Sequence, residues 1–187
     1  MQTRKTYCWR RLDFEGLEIL HLMRDAHVIE ARGSVVDAKA QFAMRAHWML
    51  DGEWRSSSLQ LTQASGEGEK TLRIERGQRG WIVDEKLRPD LSACLEVDVS
   101  ATPFGNGLAV HALGRKSGEL TALYVDAADL SVQPSRQRYD RLGERTWRYV
   151  DLGVADGFEA ILEFDRDGVV DRYEGLFERV RSGHEKS

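Results

Sequence analysis

Cysteine is scarce in this chain of 187 residues: only Cys8 and Cys94 occur. Two are too few for a disulfide framework, and neither belongs to a Cys-x-x-Cys pair. Reduced thiols and a cytoplasmic location are the expectation. No apolar run follows the basic residues of the amino terminus, Met1 to Arg11, so no secretory signal peptide is expected. Nor does any stretch approach the ~20 apolar residues of a membrane-crossing helix. An excess of one charge is lacking too. With 27 basic and 31 acidic residues the formal charge is -4, whereas a duplex-binding domain carries basic residues to neutralise phosphates. Nucleic acid is therefore not an expected partner. The five histidines, His21, His27, His47, His111 and His184, show no zinc-ligand spacing, and neither a metal nor another cofactor is expected.

What the chain does contain is the make-up of a soluble globular protein. Hydrophobic residues at 41% and balanced charge set it apart from disordered sequences, and its length suits one domain with a sizeable core. One domain is expected over 1–180, with 181–187 a polar, frayed tail.

The apolar residues recur mostly with a period of two, the signature of half-buried strands. Phe42, Met44, Ala46, Trp48 and Leu50 alternate with polar neighbours across 41–50. Leu95, Val97 and Val99 do so across 95–99, and Phe158, Ala160, Leu162 and Phe164 across 158–165. The pair Asp167-Gly168 then predicts a hairpin into Val169 and Val170. Further strands are expected at 17–23, 27–36, 54–63, 70–76, 80–84, 120–126, 129–133 and 146–152. Many short strands separated by glycine-bearing turns favour an antiparallel roll, barrel or sandwich.

One segment breaks the pattern. Thr102-Pro103 suits a helix start and Gly114 a helix end, with Leu108, Ala109, Val110, Ala112 and Leu113 between them. Apolar residues cover most of the circumference, which demands burial on several sides. A single helix over about 102–114, enclosed by a curved sheet, meets that demand. Gly105 and Gly107 weaken it by up to about 1 kcal/mol each, which points to a close backbone approach or a late helix start.

Residues able to carry chemistry are few. Glu96 and Asp98 share a strand face at about 7 Å, a separation that suits an inverting glycosidase pair and equally the wet face of a strand. Cys94 and His111 are types that pair in catalysis, but nothing marks Cys94 as activated. No catalytic residue is assigned. Gly105-Asn106-Gly107 lacks the third glycine of a dinucleotide fingerprint, Val110 standing in its place. Aromatic residues beside arginine recur, in Trp9-Arg10, Trp54-Arg55 and Trp147-Arg148-Tyr149. Neighbours on a strand point to opposite faces, so the indoles lie in the core or in an apolar cavity with arginines at its rim. Arg136, Arg138, Arg141, Arg145 and Arg148 form a basic stretch, interleaved with Asp140 and Glu144.

With these residues in view, the chain resembles the putative glycolipid-binding family, formerly a domain of unknown function, over about Trp9 to Arg179. Trp9-Arg10-Arg11-Leu12-Asp13 leading to Gly16-Leu17-Glu18 is similar to its opening block, and Asp51 with Trp54-Arg55 to its second. Gly80-Trp81 with Asp84, Pro89, Leu91 and Cys94 to Val99 resembles the third. Thr102-Pro103 through Asn106 to Leu108, then Leu113, resembles the most distinctive block. Gln137, Tyr139, Arg141, Arg148-Tyr149, Phe158, Asp165, Gly168, Val170, Tyr173, Gly175-Leu176 and Glu178-Arg179 complete the pattern. The chain departs from it at Glu85, where glycine is usual, at Ile82 for a second tryptophan, at Gly105 for a hydroxyl residue and at Ala109 for proline.

The resemblance implies a mainly β fold, an antiparallel spiral β-roll around one central helix, similar to bacterial lipoprotein carriers. It implies a glycolipid or other amphiphile as ligand and supplies no shared reaction. The expected site has Trp9, Trp54, Trp81 and Tyr149 as apolar walls, with Arg10, Arg55, Asp98 and Asn106 as polar groups. Acyl groups would lie between sheet and helix. Two other readings stand beside it: a hydrolase or isomerase using Asp98 or Glu96 as acid or base, and a structural or partner-binding protein with a filled core. An exposed edge strand would allow a homodimer.

Overall fold

The computed structural model describes residues 2–181, and the expected tail, from residue 182 on, lies outside the described residues. Strands β1 (Thr3–Arg11), β2 (Gly16–Arg24), β3 (Val28–Asp37), β4 (Phe42–Asp51), β5 (Ser56–Ser65) and β6 (Gly68–Gly77) form a meander. Short strands β7 (Gly80–Val83) and β8 (Lys86–Leu87) end it at one edge of the sheet. A 3-10 turn at Pro89–Leu91 leads to β9 (Cys94–Val99), helix α1 (Phe104–Ala112) and β10 (Gly118–Val125). Then β11 (Val132–Arg141), β12 (Thr146–Asp151), β13 (Glu159–Phe164), β14 (Val170–Tyr173) and β15 (Phe177–Arg179) lead back to β1, which joins both halves into one sheet.

This is the mainly β roll around a single helix that the sequence predicts, with one correction. The sheet is antiparallel except at β9–β10, which pair in parallel. A helical crossover returns the chain in its original direction, so the strands flanking α1 cannot be antiparallel neighbours.

Most strands lie within two residues of their expected bounds. The exceptions have physical causes. The chain is still turning as far as residue 131, closed by the Leu130 N–H on Asp126 O (2.8 Å), so the strand expected at 129–133 starts only at Val132 and runs on to Arg141. Its inner positions are Ser135, Gln137 and Tyr139, all buried, so hydrophobic alternation is absent there. β1 presents only Tyr7 and Trp9 to the interior, and the rest of it reads as a basic tail.

The sheet is open, with β8 and β9 as its edges. Side chains close the seam in place of a backbone ladder. The Trp81 indole N–H donates to Cys94 O (2.9 Å), and the Arg76 guanidinium donates to Leu95 O and to Ser56 O (2.8 Å). The Ser56 N–H donates to Glu96 Oε2 (3.0 Å). Further along, Gln63 donates to Ala127 O (2.6 Å) and Ala128 O (2.8 Å). β8, two residues long, is an exposed edge, while β9 is covered by these donors.

Helix α1 fills the roll. Phe104, Leu108, Ala109 and Val110 are buried, and the Phe104 ring meets Trp48 edge-on at 5.5 Å. The helix is shorter than 102–114. Thr102 and Pro103 form its entry, the Thr102 hydroxyl accepting the Phe104 N–H (3.2 Å). Gly114 and Arg115 take left-handed φ values of 61° and 58° and end it. The two glycines inside it are explained by close approach. A Cβ on Gly105 would lie 2.8 Å from Asp98 Oδ1 and 3.0 Å from Val97 O; one on Gly107 would lie 2.6 Å from Gly168 O. At β7–β8, Asp84 and Glu85 both have positive φ, 44° and 66°, the geometry of a two-residue hairpin turn. Glu85 thus occupies a left-handed position that favours glycine.

Gly107→Ala is expected to destabilise the fold by about 1–3 kcal/mol, because the obstructing atom is backbone and cannot swing aside. Gly66→Ala, where a Cβ meets nothing within 4 Å, is expected to change stability by less than about 0.5 kcal/mol. Urea denaturation of the two variants checks this, and equal effects would contradict it.

Candidate functional site

At the amino-terminal end of α1 the sheet leaves a small open cleft of about 210 Å³. β9 supplies Asp98, the helix Asn106 and its entry loop Ser100 and Thr102. β10 supplies Tyr124, β12 Tyr149 and Asp151, and β14 Tyr173; Phe158 and Phe177 complete the walls. No lysine, arginine or histidine lines it. Its rings form a continuous chain: Tyr149 lies 5.3 Å from Tyr139, 5.9 Å from Tyr173 and 6.3 Å from Phe158, and Tyr173 lies 6.2 Å from Phe177.

The polar groups beneath these rings are connected. Gln137 donates to Asp98 Oδ2 (2.7 Å), Tyr139 donates to Gln137 Oε1 (3.0 Å), and Asn106 donates to Tyr139 Oη (3.1 Å). Asp151 accepts the Tyr149 hydroxyl (3.2 Å) and the Gly153 N–H (2.7 Å). Burial pushes the Asp98 carboxyl up to about 6, against the bond from Gln137, and the charge of Asp151 adds to the rise. Burial first, then the charge of Asp98, raises the hydroxyls of Tyr139, Tyr149 and Tyr173. All three therefore stay protonated, able both to donate and to accept.

Of the residues expected at a site, Asp98, Asn106 and Tyr149 meet in this cleft. The others lie elsewhere. Trp9 is 0% exposed, with its indole N–H on Val170 O (2.8 Å), and has no face free for a guest. Trp81 is buried in the seam, under the Arg76 guanidinium at 4.1 Å. Trp54 is buried at the other end of α1, stacked on His111 at 4.6 Å. Arg10 is exposed and paired with Glu178 (2.6 Å), and Arg55 is exposed near Glu53 (3.7 Å). The Trp-Arg dipeptides thus record alternation between core and water. Glu96 and Asp98 do not form a wet face: Glu96 is buried on Ser56 and Arg76, while Asp98 opens into the cleft.

His111 and Cys94 are each committed elsewhere. Burial pushes His111 down to about 4, and its neutral ring donates from Nε2 to Asp167 O (3.0 Å). Burial pushes the Cys94 thiol up to about 11, the reverse of activation. No group of three or more potential metal ligands occurs among the described residues. Cleft residues that the sequence did not disclose include Tyr124, Asp151, Phe158, Tyr173 and Phe177, with Gln137 buried beneath them. One signal was available for Asp151: it stands two after Tyr149, on the same strand face.

Behind the cleft, Glu18 is 2% exposed and accepts the Thr102 hydroxyl on Oε1 (2.9 Å); its Oε2 has no hydrogen-bond partner among the described residues. Burial pushes this carboxyl up to about 8.

Comparison with known proteins agrees with the fold. A model of the family described as "Putative glycolipid-binding" matches residues 6–179. A solved DUF1089 family protein from Pseudomonas aeruginosa is 26% identical, with a TM-score of 0.73 over 88% of this chain and 92% of that one. A β-barrel-like protein of unknown-function domain DUF1849 from Brucella abortus is 11% identical, with a TM-score of 0.51 over 95% of each chain, and shares the fold alone. No curated protein matches.

Glu18 predicts a pH effect. Its folded value of about 8 exceeds the ordinary 4.5, so between these pH values the unfolded chain has lost a proton that the folded chain keeps. That contribution lowers stability as pH rises from 4.5 to 8. Glu18→Gln removes it, so denaturation midpoints of variant and parent should shift in the variant's favour across that window. Parallel curves would contradict the assignment.

Proposed function

We propose that this chain, which belongs to the putative glycolipid-binding family, binds the sugar part of a glycolipid in the cleft of Asp98, Asp151, Tyr149 and Tyr173. The observation that carries this reading is the joining of two carboxylates to a row of aromatic rings in one small opening, where the one guanidinium beside it, Arg11 over Phe177 at 4.5 Å, is already paired with Asp13 (3.0 Å). Sugar hydroxyls donate to carboxylates through charge-assisted bonds, and the C–H faces of a sugar ring pack on aromatic faces. An anionic lipid head group or a fatty acid carboxylate would meet repulsion there.

The acyl part belongs outside the roll. Leu108 is fully buried in the hydrophobic core. The space between sheet and helix, in which an acyl chain is expected from the sequence, is occupied by Phe104, Leu108 and Trp48. Val154 and Phe158, 42% and 37% exposed, offer an apolar rim near the cleft instead. No helix among the described residues is long and apolar enough to cross a membrane. Two free cysteines, Cys94 buried and Cys8 half-buried, suit the reducing cytoplasm.

A catalytic reading draws on one observation. Asp98, with its carboxyl raised to about 6, shares the cleft with a second carboxylate, an arrangement that can serve acid–base chemistry. Glu96 has no part in it.

Titration of the labelled chain with an alkyl glucoside, followed by NMR, is expected to move signals of Tyr149, Phe158 and Tyr173, and a fatty acid of equal length is expected not to. Asp98→Asn should weaken glucoside binding about tenfold, the scale of one hydrogen bond to a charged group. Equal response to both probes, centred on Leu108, would refute the reading. Glycoside turnover lost in Asp98→Asn with binding kept would favour the catalytic one.

A further inference from the structure

At the carboxyl-terminal end of α1 lies a second cleft, of about 290 Å³, with the opposite charge. Three separate turns bring arginines to it: Arg115 after α1, Arg141 and Arg145 from the β11–β12 hairpin, and Arg166 from the β13–β14 hairpin. Trp147 and Phe164 form its floor.

The turns are tied together, so the convergence is built in. The Arg141 N–H donates to Ser117 Oγ (2.8 Å), and the Phe164 N–H donates to Arg145 O (2.8 Å). Arg115 holds a left-handed backbone, φ 58°, a conformation costly for a side chain of its size. Its guanidinium lies over the β13–β14 turn, where a Cβ on Gly168 would stand 2.8 Å from Nη2. Glycine at 168 keeps that position clear.

None of these four guanidiniums has a carboxylate within 4.0 Å among the described residues, although Arg136, Arg138 and Arg148 of the same two strands all do. Of the two acids lining the cleft, Asp165 is already bound by Arg179 (3.0 Å) and by the N–H groups of Asp167 and Val169. Glu144 is the other. Positive charge therefore gathers in one hollow of a chain whose net charge is -4. Like charges so placed repel, and guanidinium forks match the geometry of a tetrahedral oxyanion.

We propose that this cleft binds a compact oxyanion, a phosphate or sulfate ester, either free or as a lipid head group. It is a separate site from the sugar cleft, and either can fail without the other.

The test is titration of the full labelled chain with inorganic phosphate and with glycerol phosphate, against chloride at equal ionic strength. Saturable shifts at Arg115, Arg145 and Arg166 are expected. Arg145→Gln with Arg166→Gln should weaken binding at least about tenfold, and circular dichroism should show the exposed substitutions leave the fold intact. Arg10→Gln, taken from an existing ion pair, should leave affinity unchanged. Co-sedimentation with phosphatidylglycerol vesicles, lost in the double variant, would assign the source as a head group; ester binding without vesicle binding would assign a free ester. No saturable response to either phosphate or vesicle, or equal affinity in the double variant, would overturn the proposal.

Discussion

The fold depends on a contact between backbones. Gly107 of α1 lies against Gly168 O and Gly105 against Val97 and Asp98, so close that a single methyl group at either would collide. Only a helix without side chains at these points can sink this far into the roll. Once there, its Phe104 and Leu108 side chains pack beneath the sheet, and its two ends lie at the two clefts. The amino-terminal end faces the carboxylate of Asp98, and the carboxyl-terminal end is followed by Arg115. Both placements suit the helix dipole, by about 0.3–1 kcal/mol each. One buried element thus accounts for the position and the opposite charge of both openings.

The roll closes by polar bonds rather than by a ladder, and this sets which carboxylates are buried. Glu96 is taken into the seam because the Ser56 N–H and the Arg76 guanidinium are there to meet it. Asp98 has Gln137, and Asp151 has Tyr149 and the Gly153 N–H. Glu18 keeps one oxygen without a hydrogen-bond partner among the described residues. Each is costly to bury and lies at a seam or at the helix entry, where strict hydrophobic packing gives way.

Much of the fold was legible because its strands alternate and its helix does not. β4 reads directly from Phe42 to Leu50, and Gly105 and Gly107 point to a close approach or a late helix start, both of which occur. β11 was not legible, since Ser135, Gln137 and Tyr139 turn polar atoms inward to serve the cleft. The site was legible in part for the same reason. Asn106, Asp98 and Tyr149 stand out beside the helix and on the strands, but Gln137 and Tyr173 come from other strands, and only Asp151, two after Tyr149 on β12, had a local signal. The tryptophans divide, because a large ring beside an arginine has the same pattern in a solid wall, at Trp9, as in a cleft, at Trp54 and Trp147.

The filled core is the claim on which the functional account rests. An alkyl glucoside carrying a nitroxide at the end of its chain, added to methyl-labelled protein, tests it most directly. The account predicts that the methyl signals of Leu108 and Val110 persist while those near Val154 fade. Strong broadening at Leu108 would place the chain inside the roll and contradict it.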